Sequence, residues 1–126
     1  FERKGLRIAA MKLMKITRET AETHYAPHKG KGFYESLVGF MTSEPVVTLV
    51  LEGTKSIEVC RKLMGATFGF AAEPGTIRGD FGISNQFNLV HGSDSAEAAQ
   101  REIELFFDRS EILEYGLADD AWNASE

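Results

Sequence analysis

At 126 residues, 43% hydrophobic and 26% charged with a formal net charge of −5, the chain has the size and balance of one globular domain. No apolar run approaches the ~20 residues needed to span a bilayer, Phe1 to Arg7 is too charged for a secretory leader, and a single cysteine, Cys60, excludes an internal disulfide framework and a multi-cysteine zinc site. These features lead us to expect an intracellular, cytoplasmic protein with no membrane partner. The charge is uneven: residues 1–31 hold eight Lys/Arg against three Asp/Glu, and residues 94–126 hold two against ten. Interleaved with a strand-like pattern, the basic residues read as a solvated face. The overall acidity argues against nucleic acid as a specific partner, while leaving room for a small anionic ligand.

In chain order, Phe1-Glu2-Arg3-Lys4-Gly5 reads as the last turn of a helix, with Gly5 as its cap. Leu6 to Ile16 is expected as a strand, and Thr17 as the N-cap of a helix through Tyr25. Ala26 to Gly32, with Pro27 and two glycines, reads as a loop, and Phe33 to Met41 as a short helix. Pro45 to Leu51 is the clearest strand, rich in β-branched residues. Lys55 to Met64 has helical spacing, which makes Cys60 a core residue rather than a nucleophile. Thr67 to Gly82, with Pro74 and four glycines, reads as a long functional loop. Asn88 to His91 is expected as a short strand. Asp94-Ser95-Ala96-Glu97 resembles a capping box opening a helix through Phe107, whose inward face is Ala99, Ile103, Phe106 and Phe107. An acidic remainder with Trp122 follows. The alternation gives an α+β sandwich, a small sheet covered by helices.

Of three histidines, His24 and His28 beside the Pro/Gly loop read as surface or structural residues. His91 stands out, because a flexible Gly92 and a helix start follow it, and a neutral imidazole is a competent nucleophile near pH 7. Arg61 and Arg78, with Thr67 and glycine-exposed backbone, make a candidate polyphosphate clamp, since guanidinium groups grip phosphate bidentately. No Walker-type, Gly-x-Ser-x-Gly or His-Glu-x-x-His motif occurs.

Asn88-Leu89-Val90-His91-Gly92-Ser93-Asp94-Ser95 resembles the active-site signature of nucleoside diphosphate kinases. Pro74-Gly75-Thr76-Ile77-Arg78-Gly79-Asp80-Phe81 resembles that family's phosphate-side loop. His24-Tyr25, Phe33-Tyr34 with Leu37-Val38, Pro45-Val46-Val47 and Arg61 through Gly65-Ala66-Thr67 resemble its other segments in the same order. The resemblance implies a ferredoxin-like α/β sandwich, usually hexameric and sometimes tetrameric. It also implies transfer of the γ-phosphoryl group from ATP or another nucleoside triphosphate to a nucleoside diphosphate, by a ping-pong route through a phosphohistidine at His91. By the same resemblance Phe33 and Leu37 hold the base, Arg61, Thr67, Arg78 and Asn88 meet phosphate and ribose, and Tyr25, Ser93 and Glu102 orient the histidine. Mg²⁺ is implied as the nucleotide's companion, held mainly by phosphate oxygens, with no dedicated protein ligand.

The sequence departs from the family in three places. Phe68 to Glu73 replaces an Asn-Pro-Ala-like run, and Trp122-Asn123-Ala124-Ser125-Glu126 replaces a Trp-Ile-Tyr-Glu-like end. The family's first strand, with its Lys-Pro-Asp motif, has no counterpart in 1–126. The expectation is therefore a single, N-terminally truncated domain of a longer natural protein. A non-catalytic nucleotide-binding or assembly module is the alternative reading.

Overall fold

The computed structural model describes residues 1–123. The end of the sequence, Ala124-Ser125-Glu126, lies outside the described residues. Glu2–Lys4 forms a 3₁₀ turn closed by Gly5 at φ 94°, whose N–H donates to the Glu2 carbonyl, so the expected helix end and glycine cap are present. Strand β1 (Arg7–Met14) pairs antiparallel with β2 (Val46–Glu52), running from Arg7 opposite Glu52 to Met14 opposite Val46. An irregularity between Ile8 and Ala10 leaves Ala9 without a cross-strand partner in β2. Its carbonyl accepts instead from the Leu113 N–H at 2.8 Å, which lays the acidic C-terminal segment along β1.

Between the strands lie α1 (Arg18–His24) and α2 (Tyr34–Ser43). Thr17 caps α1 as expected, its hydroxyl accepting from the Thr20 N–H at 3.2 Å. After β2 come α3 (Ser56–Met64), α4 (Ile77–Phe81), α5 (Ala96–Phe106) and a short α6 (Asp120–Asn123). Two buried clusters hold the hairpin, α1, α2 and α5. Ala9, Ala10, Val50 and Phe107 fix α5 under the hairpin, with Ile103 and Phe106 packed against them. Ile16, Ala21, Tyr34 and Val38 fix α1 and α2 to each other, and Phe106 touches this cluster as well.

Three expectations need correction. Thr67–Gly82 is not one loop: it contains a 3₁₀ turn at Gly69–Ala71 and α4, which Thr76 caps through a hydroxyl that accepts from the Gly79 N–H at 3.0 Å. Helix α5 starts one residue later than the Asp94 cap implies, because Ser95 supplies the capping oxygen to the Ala98 N–H at 3.0 Å. Asn88–His91 is not a strand among the described residues. Its backbone groups are bonded elsewhere, for reasons that belong to the site.

Candidate active site

The site is built around a buried arginine. Arg78, on the five-residue α4, is only 4% exposed. Its Nε donates to the Asn88 carbonyl at 3.1 Å, its Nη1 to the Gly65 carbonyl at 3.1 Å, and its Nη2 to the Val90 carbonyl. Burial lowers its pKa, and the neighbouring Arg61 lowers it further. Two of its five N–H donors remain after these bonds. Gly65 has φ 89°, and a Cβ there would collide with the Thr76 side chain, so glycine is required where the end of α3 meets the cap of α4.

The bonds to Arg78 explain the lost strand. With the Asn88 and Val90 carbonyls both accepting from the guanidinium, the Val90 N–H turns back to the Asn88 carbonyl at 2.8 Å. This γ-turn holds Leu89 at φ 71°, a strained backbone for a non-glycine residue. Such strain persists only where the surroundings impose it, and it delivers the next residue but one, His91, to the surface.

His91 is half exposed, its Nε2 2.9 Å from Glu102 Oε1. The second carboxylate oxygen of Glu102 accepts from the Ser93 hydroxyl. Arg61, in the last turn of α3, donates to the Gly92 carbonyl at 3.1 Å and so fixes the peptide beside the imidazole. With a carboxylate at Nε2, the favoured neutral tautomer keeps its proton there and leaves the Nδ1 lone pair free.

His24, at the end of α1, is the residue that sequence reasoning missed. Its side chain is 4% exposed, its ring meets that of His91 edge-on at 4.7 Å between centroids, and its Nδ1 is 3.8 Å from Glu102 Oε1. Ala21, fully buried, lies three residues earlier and shares the inward face of α1 with it. Burial pushes the His24 pKa down to about 4, helped by His91 and opposed by Glu102, so the ring is neutral at pH 7. Burial also raises the Tyr25 phenol, with a smaller contribution from Glu102.

A file of rings connects this centre to Phe33. His24 contacts Tyr25 at 4.7 Å between centroids, Tyr25 lies 6.2 Å from His28, and His28 lies 5.5 Å from Phe33. Phe33 precedes the first turn of α2, is 46% exposed, and has Lys31 Nζ 5.7 Å from its ring centre. Leu37, half buried, follows it by four residues and shares its helix face. Thr67 is exposed. With Arg61 it lines an open cavity of about 1090 Å³ between α3 and the start of α5. His91, Phe33, Leu37, Arg78 and Asn88 do not line that cavity. The expected residues thus fall into a tight centre of His91, Ser93 and Glu102 with Arg61 tied to it through Gly92, a neighbouring bend in which Arg78 holds the Asn88 carbonyl, and an outlying aromatic platform at Phe33.

A family model described as nucleoside diphosphate kinase matches residues 1–112. The chain is 52% identical over 122 residues to a nucleoside diphosphate kinase of Pelotomaculum thermopropionicum, covering 97% of this chain and 82% of that one. It is 55% identical over 121 residues to that of Listeria monocytogenes serotype 4a, covering 96% and 82%. The structure of a halophilic nucleoside diphosphate kinase from Halobacterium salinarum in complex with CDP superposes with a TM-score of 0.94 at 45% identity, covering 98% of this chain and 83% of that one. The nucleoside diphosphate kinase of Encephalitozoon cuniculi, in its apo form, superposes with a TM-score of 0.91 at 39% identity, covering 97% and 82%.

Proposed function

The chain belongs to the nucleoside diphosphate kinase family, with its ferredoxin-like α/β fold, and on that premise we propose that His91 is the group through which it carries the phosphoryl. The activity is transfer of the γ-phosphoryl group from a nucleoside triphosphate to a nucleoside diphosphate. The observation that carries the proposal is the Glu102 carboxylate 2.9 Å from His91 Nε2, which leaves Nδ1 as the nucleophilic atom. The Nδ1 lone pair attacks the γ-phosphorus. The bond to the β,γ-bridging oxygen breaks, and the diphosphate leaves with that electron pair. A terminal oxygen of a second diphosphate then attacks the same phosphorus, and the P–N bond breaks with its electrons returning to Nδ1. Negative charge on the Glu102 carboxylate, itself held by Ser93, stabilises the imidazole as it gains positive character.

Arg61, Thr67, Arg78 and Asn88 contact the phosphates and ribose in this reading. Arg78 has a double task, since three of its donors hold backbone carbonyls and two remain. Phe33, with Leu37 beside it, gives the base an exposed apolar face, and stacking on a ring tolerates every base. Mg²⁺ enters with the nucleotide. Among the described residues the cluster of His24, His91 and Glu102 has metal-ligand spacing, but two imidazoles do not suit a cation that prefers six oxygens. These three residues therefore do not form a Mg²⁺ cage; an ion arriving with the nucleotide would be held by phosphate oxygens and water and would neutralise phosphate charge.

The single domain acts as a cytoplasmic homo-oligomer, a hexamer or tetramer. Met11 opposite Leu49 and Leu13 opposite Val47 are exposed apolar pairs on one face of the hairpin, which supports burial against another copy. Among the described residues no helix is long and apolar enough to cross a membrane. The experiment is phosphotransfer from labelled ATP with Mg²⁺. His91→Asn is expected to lose transfer while keeping nucleotide binding, and retained turnover would remove His91 from the role.

A further inference from the structure

We propose that His24, His91 and Glu102 form a binding site for Zn²⁺, and that the bound ion blocks the phosphoryl acceptor. One donor atom from each residue lies within 4.8 Å of the others. Glu102 Oε1 is 2.9 Å from His91 Nε2 and 3.8 Å from His24 Nδ1. Around Zn²⁺, with bonds of about 2.0–2.1 Å, tetrahedral ligand atoms stand about 3.3 Å apart. The observed separations fall on both sides of that value, so side-chain shifts of about an ångström admit the ion.

A second observation points the same way. The His24 side chain is 4% exposed, and its Nδ1 faces Glu102 Oε1 at 3.8 Å, beyond hydrogen-bond distance. A cation between these two atoms would bind both. The donors come from the end of α1, the 83–95 loop and α5, so packing rather than a flexible loop sets their spacing. The rings of Tyr25 and Phe106 flank His24, whereas His91 is half exposed and gives the ion a route in. Two imidazoles and one carboxylate form the donor set of open zinc sites, with a water in the fourth position. The same donors discriminate against Mg²⁺. Zinc at His91 Nε2 displaces the Nε2 proton to solvent, takes the carboxylate that orients the ring, and draws electron density from Nδ1. This consequence rests on His91 being the phosphoryl acceptor, whereas the binding does not.

The test uses the full 126-residue chain without nucleotide, with Co²⁺ as a spectroscopic probe and Zn²⁺ as its competitor. The expected result is one Co²⁺ per chain with a visible tetrahedral absorption band, displaced by one equivalent of Zn²⁺. Zn²⁺ affinity should fall at least tenfold in His24→Gln and in Glu102→Gln and stay unchanged in Cys60→Ala. Absence of the band, equal affinity in His24→Gln, or loss of binding in Cys60→Ala would overturn the site. In parallel, protein preloaded with Zn²⁺ and freed of excess metal is mixed with labelled Mg²⁺–ATP. Labelling should be suppressed and restored by EDTA, and undiminished labelling of loaded protein would overturn the block. If metal-free protein is not labelled at His91, the acceptor reading fails, while the Co²⁺ result still decides the site.

Discussion

The hairpin half of the molecule and the 65–95 segment are held together by different forces. Around β1, β2, α1, α2 and α5 the cohesion is apolar, from Leu6, Ala9, Ala10, Val38, Val50 and Phe107, all at most 8% exposed. Between residues 65 and 95 the large apolar side chains Phe68, Phe70, Phe81, Ile83, Phe87 and Leu89 are at least 50% exposed. There a buried guanidinium and its three carbonyls do the holding. Apolar packing is non-directional, so it holds elements together without choosing the orientation of a single peptide. Directional bonds fix the backbone on both sides of Leu89, which is what placing an imidazole requires.

This contrast can be broken by paired substitutions. Arg78→Ala strands the carbonyls of Gly65 and Val90, each worth about 1–3 kcal/mol when left buried and unpaired, while the Asn88 carbonyl keeps the Val90 N–H. It also removes a donor from the phosphate side, where losing one positioned group costs about 10²–10³ in rate. Melting should therefore drop by several degrees and kcat/KM by at least a hundredfold, with amide exchange rising first at Val90. Val38→Ala in the apolar half should cost about 2 kcal/mol and leave kcat near that of the parent. If both variants lose stability without a difference in kcat, the division between the halves is wrong.

Phe33→Ala sharpens the same contrast at the edge of the site. Loss of a stacking platform should weaken all nucleoside diphosphates alike, by about 1–3 kcal/mol each, with kcat nearly unchanged. Binding titrations with a purine and a pyrimidine diphosphate check this, and a loss confined to one base would point to readout of base edges.

The smallest expected effect is a pH dependence of stability from His24. Its folded pKa of about 4 lies below the ordinary 6.5 of an exposed imidazole, so between these values the unfolded chain binds the extra proton. The contribution is fully present above pH 6.5 and is lost as the pH falls toward 4, on the order of 2–3 kcal/mol in all. The groups facing this ring are His91, Glu102, Tyr25 and His28. Denaturant midpoints from pH 7 to 4 should fall less steeply in His24→Gln than in the parent chain.

Much of this was legible in the residues. β-Branched content gave β2, and Thr17 and Gly5 announced their caps, because these signals act within a few residues. The signature from Asn88 to Ser95 pointed to His91 and its neighbours. The bend at Leu89 was not legible, since Asn88-Leu89-Val90 has the composition of a strand. What bends it is Arg78, ten residues away, whose guanidinium takes two of its carbonyls. Nor was His24 legible as a neighbour of His91, because their contact depends on how α1 packs against α5. The cap error at Asp94 arose where Asp94 and Ser95 lie side by side and packing chooses between them, and the helix inside the expected 67–82 loop was hidden because it is only five residues long and lies among glycines.

The most direct test of the account is the position of the phosphoryl group on the protein. After reaction with Mg²⁺–ATP and removal of nucleotide, ³¹P and ¹H–¹⁵N NMR of the phosphoprotein distinguish the two imidazole nitrogens. The account predicts one acid-labile phosphohistidine, on Nδ1 of His91, with Nε2 still protonated against Glu102. Phosphate on Nε2 of His91, or on any other residue, would contradict it.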